Sequence, residues 1–90
     1  MLAVERFRVN DWDVWIGVIF HGRIQGISFA FTRSELLKRV ENLAEFLRRR
    51  NVAVSLDVQP SNYTGLVYRV LVGELDNEWA LPELSFEGVT

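Results

Sequence analysis

Every second residue from Trp12 to Phe20 is large and apolar (Trp12, Val14, Ile16, Val18, Phe20), and after Gly22 the same beat returns in Ile27, Phe29 and Phe31. Side chains alternate across a strand, so a period of two gathers each set onto one face of a sheet. His21-Gly22-Arg23 reads as the tight turn between the two runs, with Gly22 free to take positive φ. Upstream, residues 4–9 are rich in β-formers and stop at Asn10-Asp11, a turn signal. The spacing predicts strands over about 3–9, 12–21 and 23–31, joined as a three-stranded antiparallel meander. The second face of the return strand carries Ile24, Gly26, Ser28 and Ala30. Side chains that small call for a closely packed helix.

The next segment supplies it. Thr32-Arg33-Ser34-Glu35 fits a capping box, in which the Thr32 hydroxyl accepts from the Glu35 backbone and the Glu35 carboxylate reaches back. Leu36, Val40, Leu43, Ala44 and Leu47 recur at helical spacing, and Arg48-Arg49-Arg50 complements the dipole at the far end. A helix over about 33–50 follows. Val52, Val54, Leu56 and Val58 alternate as a short strand over about 52–58, stopped by Pro60. Ser61 or Asn62 caps a second helix over about 62–73, with Val67, Val70 and Leu71 as its apolar stripe and Gly73 at its close. Residues 77–90 read as an irregular tail. The fold class expected is α+β: meander, helix, short strand, helix, tail.

Composition limits what such a domain does. Ninety residues make one domain. Ten basic against twelve acidic residues give a net charge of −2, without the cationic excess from which a free-standing nucleic-acid binder draws its affinity. All the basic residues but Lys38 are Arg, which suits planar ion pairs and is compatible with a hot-adapted source. The absence of Cys removes disulfides, thiolate nucleophiles and soft metal sites together. The first six residues mix acid and base and do not form a signal peptide, and the longest apolar run is far below the ~20 residues of a membrane span. A cytoplasmic protein without membrane contact is expected.

Candidate chemistry is sparse. Asp11, Asp13, Asp57, Glu74 and Asp76 could be set around magnesium as in nucleases, yet Asp11 and Asp76 fall in turns, where Asp bonds its own backbone, and Asp13 faces away from the apolar set of its strand. His21 is the single imidazole and sits at a turn; no Ser lies in a nucleophile-elbow context. Gly22 and Gly26 lie between strands with no Lys-Ser or Lys-Thr after them, so they form no phosphate loop. Trp12 and Trp15 fall on opposite faces, which spoils a single base-stacking platform. No catalytic residue, metal site or cofactor is expected.

A resemblance supplies the functional reading. Residues 1–9 (MLAVERFRV), 14–20 (VWIGVIF), 22–31 (GRIQGISFAF) and 55–61 (SLDVQPS), with 73–77 (GELDN) and 83–90 (ELSFEGVT), together resemble the N-terminal domain of archaeal methylated-DNA–protein-cysteine methyltransferases. The resemblance covers essentially the whole chain and includes no catalytic motif. It implies a ribonuclease H-like architecture and a supporting role. The family's acceptor Cys, within Pro-Cys-His-Arg, and its helix-turn-helix belong to a C-terminal domain, so no residue here inherits the acceptor role. The implied partner is that C-terminal catalytic domain of the same protein, with DNA met only through it.

The tail fits this reading. Trp79, Leu81, Leu84 and Phe86 carry apolar bulk without a sustained period, and Val89-Thr90 closes the chain without a polar end. These four residues are the candidate interdomain contact, and the chain is expected to be part of a longer one. Two other classes compete: an independent protein- or nucleic-acid-binding module, and a small metal-dependent nuclease, which ranks last because its carboxylates read as turn and solvent positions.

Overall fold

Val9 and Trp12 face each other across Asn10 and Asp11, both at positive φ (47° and 68°), the backbone a two-residue hairpin needs to match strand twist. The computed structural model describes residues 1–76. The hairpin joins β1 (Leu2–Val9) to β2 (Trp12–His21), and a second turn at Gly22, φ +73°, joins β2 to β3 (Arg23–Ala30). All pairing is antiparallel, in the order β1-β2-β3. The architecture is therefore the expected three-stranded meander with two helices, α1 (Arg33–Arg49) and α2 (Tyr63–Leu71).

The register slips once. Ile19 pairs with Gly26 but Phe20 pairs with Ile24, leaving Gln25 as an extra residue on β3. Such a bulge flips the side chains beyond it. Ile24 accordingly packs with Ile16, Phe20 and Ile27, on the face opposite to the one its spacing from Gly26 predicts.

The two helices cover different faces. α1 lies on the face of Leu2, Ile19 and Ala30, where its buried stripe is Leu36, Val40, Leu43, Ala44 and Leu47, as the helical spacing predicts. The small-residue face does what was expected of it: a Cβ on Gly17 would stand 2.9 Å from Val40 Cγ2, and one on Gly26 2.8 Å from Leu43 Cδ2. The Thr32 hydroxyl caps α1 by accepting from the Glu35 backbone N–H at 3.2 Å. The reciprocal half of the box is replaced: the Glu35 carboxylate accepts from Arg39 one turn on. α1 ends in a Schellman motif, with Asn51 at φ 64° and Val52 N–H bonded to Leu47 C=O.

The predicted strand over 52–58 is not a strand. Val52, Val54 and Leu56 do alternate inward against the α1 cluster, but the backbone makes one parallel bridge only, Leu2 to Val58. There Leu2 N–H donates to Asp57 C=O and Gln59 N–H donates to Leu2 C=O. Because this bridge is parallel and sits at the first residue of β1, residues 52–57 run past the start of that strand and meet no partner there, and the Val54 carbonyl accepts from Arg48 instead.

α2 is fixed to the other face by polar and aromatic contacts as well as by part of the stripe its sequence suggests. Of the expected stripe, Val67 is buried and Val70 packs half-buried beside it, but Leu71 is exposed. Tyr68 stacks on Phe7 with centroids 4.5 Å apart, Tyr63 tilts against Phe20 and donates to Gly22 C=O, and buried Thr64 donates to Glu5 at 2.8 Å. Its entry is capped by the Ser61 hydroxyl, which accepts from Tyr63 N–H, and Asn62 makes no side-chain cap. Gly73, φ +81°, ends it in a second Schellman motif.

Candidate functional site

The residues that suggested chemistry are held apart. Asp13 accepts from Arg8 at 3.1 Å, Asp57 from the Ser55 hydroxyl at 3.0 Å, and Glu74 pairs with Arg69 at 3.4 Å. Asp11 sits in the first hairpin turn and Asp76 follows α2. Among the described residues no three His, Cys, Asp or Glu side chains gather into a group able to hold a metal ion. His21 is exposed beside the second turn. Each Arg of the basic run has work within the fold: Arg48 holds Val54 C=O, Arg49 pairs with Glu45 at 2.7 Å, and Arg50 lies over the Phe46 ring. No helix among the described residues is long and apolar enough to cross a membrane.

What the structure does bring together is apolar. Trp12 and Phe31 touch, with ring centroids 5.9 Å apart, and are 66% and 68% exposed. Beside them lie half-buried Val14 and Phe29. Two adjoining hollows of about 360 and 290 Å³ open here and share Val14 and Phe31; the first extends over the β3 edge to Glu35 and Arg39, the second to Val9. Trp15, of opposite parity, turns to the α1 face, so the two indoles form no common platform.

The bare patch follows from lengths. β2 has ten residues and rises about 33 Å, whereas nine-residue α2 rises only about 14 Å. α2 covers the end of its face near the second turn and stops over Phe7, leaving the end near the first turn uncovered. Sequence reasoning weighed Trp12 only as a base-stacking partner of Trp15 and did not join it to Phe31. The signal was available in the mismatch between a long two-residue period and a short helix. The expected contact residues Trp79, Leu81, Leu84 and Phe86 lie outside the described residues.

Comparison with known proteins joins this fold to a family. The family model described as methylated DNA-protein cysteine methyltransferase, N-terminal, matches residues 1–85. A methylated-DNA–protein-cysteine methyltransferase of Thermococcus gammatolerans is 83% identical over 90 residues, all of this chain and 52% of that protein. Its counterpart from Thermococcus kodakarensis is 63% identical over the same share. The crystal structure of O6-methylguanine-DNA methyltransferase from the hyperthermophilic archaeon Pyrococcus kodakaraensis superposes with a TM-score of 0.90 at 63% identity, over all of this chain and 53% of that one. The chain thus spans about half the length of the curated relatives it matches. It belongs to the N-terminal domain family of the methylated-DNA–protein-cysteine methyltransferases.

Proposed function

We propose that this domain is the non-catalytic half of a DNA-repair protein whose C-terminal half accepts a methyl group from DNA onto its own cysteine. One observation carries the reading: a chain with no Cys matches the N-terminal family over residues 1–85 and aligns with only half of each relative. The acceptor in such chemistry is a thiolate, and a methylated base must leave the stack to reach it. Residues 1–90 offer no thiolate and no cationic excess, so both tasks fall to the second half. By itself the chain takes up no methyl group. DNA is met through the partner domain, in the cytoplasm.

The remaining role is support. Trp79, Leu81, Leu84 and Phe86 form the contact with the C-terminal half in this reading. The ribonuclease H-like architecture is part of the same proposal, and the parallel bridge of Val58 on the outer edge of β1 supports it, because it stands where a fourth strand would add. A fold alone confers no nuclease activity.

A chimaera tests the reading. The first 90 residues of the Thermococcus gammatolerans protein are replaced by this chain, with and without Trp79→Ser and Phe86→Ser. The unmodified chimaera should accept methyl groups as its parent does, and the double variant should lose that capacity on heating at least several-fold faster. Equal heat tolerance of the two chimaeras overturns the contact assignment.

A further inference from the structure

We propose that the outer edge of β1, from Val4 to Arg8, docks an extended acidic segment of a partner protein, which adds there as a further strand. This inference does not rest on the methyl-transfer reading above, and either can fail while the other stands.

The pairing fixes which peptide groups are free. The Met1 amino group donates to Phe20 C=O, and Phe20 N–H donates to Met1 C=O. Residues of the same parity, Ala3, Glu5 and Phe7, therefore turn their N–H and C=O groups to β2. Leu2 turns outward, where it meets Asp57 and Gln59. Val4, Arg6 and Arg8 turn outward as well, and among the described residues their N–H and C=O groups meet no backbone partner. The bridge at Val58 ends after Gln59, and the chain turns into α2 at Ser61. The far edge of the sheet is closed by comparison: Ile27 is fully buried, and Arg39 donates to Phe29 C=O.

The side chains along the β1 edge select its occupant. Val4, Arg6 and Arg8 share one face, and both Arg are exposed. Arg6 has no ion-pair partner among the described residues, and Arg8 has only the exposed contact with Asp13. A second copy of the chain fits poorly. Two β1 edges paired antiparallel set Arg6 against Arg6, Arg6 against Arg8 or Glu5 against Glu5, depending on register, and like charges directly opposite destabilise a sheet. Carboxylates opposite Arg6 and Arg8 instead receive the planar paired contacts of guanidinium. Where the edge meets the Val58 bridge, a hollow of about 340 Å³ lined by Val4, Glu5, Val58, Pro60 and Thr64 can seat the last side chain of the added strand. Main-chain bonds then supply affinity, and alternate side chains supply specificity.

The probe is a capped peptide with Glu-Val-Glu-Thr-Val at its centre, which in the antiparallel register sets Glu opposite Arg8 and Arg6. The isotopically labelled 90-residue chain is titrated with it and with a Lys-Val-Lys-Thr-Val counterpart, and amide exchange is followed by NMR. In the free chain the Val4, Arg6 and Arg8 amides should exchange fast. At saturation with the Glu peptide they should slow at least tenfold, and the Lys peptide should bind at least tenfold more weakly. Arg6→Glu, at an exposed position, should cut that preference at least fivefold. N-methylation of the two Glu residues removes the donors that face β1 without changing charge, and should abolish binding. Slow exchange in the free chain, no slowing with the Glu peptide, equal binding of the Lys peptide, an unchanged preference in Arg6→Glu, or undiminished binding of the N-methylated peptide each overturns the proposal.

Discussion

Leu43 Cδ2 lies 2.8 Å from where a Cβ on Gly26 would stand, so α1 rests on the sheet at a distance that only glycine permits. Gly17 has the same relation to Val40 at 2.9 Å. The two contacts set the depth of the α1 cluster, and with it the orientation of β2 and β3 beneath the opposite, partly bare face.

Gly17→Ala should therefore destabilise the domain. Val40 is β-branched and buried, so its methyl group has little room to yield, and overpacking of this kind costs about 1–3 kcal/mol. In a domain of this size each kcal/mol lowers Tm by roughly 4–8 °C. Thermal unfolding followed by circular dichroism measures it. Adding Val40→Ala to Gly17→Ala should cost less than the sum of the two single changes, because the clash is gone.

The polar tie between α2 and β1 makes a separate prediction. Thr64 is 1% exposed and its hydroxyl donates to Glu5 at 2.8 Å. Thr64→Val removes the donor at nearly constant shape and should cost about 0.5–1.5 kcal/mol, toward the lower end because the Glu5 carboxylate can return to water. Urea unfolding of Thr64→Val, Glu5→Ala and the pair should give a coupling energy of about 0.5 kcal/mol or more. Strict additivity would mean that the bond adds nothing.

Asn51 holds a left-handed backbone, φ 64°, at the end of α1. Asn51→Gly should be neutral or stabilising by up to about 1 kcal/mol, and Asn51→Val destabilising by about 1–2 kcal/mol, since a β-branched residue resists that conformation. Chemical denaturation of both variants decides it, and the same sign for both would contradict the assignment.

Much of this was legible in the residues. The beat of two in β2, the turn residues Asn10, Asp11 and Gly22, the Thr32 cap and the stripe from Leu36 to Leu47 each report a local rule, and the structure follows them. The misreadings arise where tertiary context decides. Ile24 depends on a bulge that pairing with β2 creates. Residues 52–58 have a strand's alternation, but in the parallel register of the Leu2–Val58 bridge residues 52–57 run past the start of β1 and meet no partner. Of the α2 stripe Val67 and Val70 pack inward and Leu71 does not, and Tyr63, Thr64 and Tyr68 add rings and hydroxyls that aliphatic spacing does not reveal. The pairing of Trp12 with Phe31 in one patch went unmarked because exposure there depends on the length of α2, a helix far along the chain that covers only part of the same face.

The absence of an acceptor in this half is the central claim, and the site of methyl transfer tests it most directly. The 90-residue chain and the chimaera are each incubated with DNA bearing isotopically labelled methyl groups, then digested, and the labelled peptides are identified by mass spectrometry. The account predicts no label on the chain alone and, in the chimaera, label only on a cysteine beyond residue 90. Label on any peptide from residues 1–90 would contradict it.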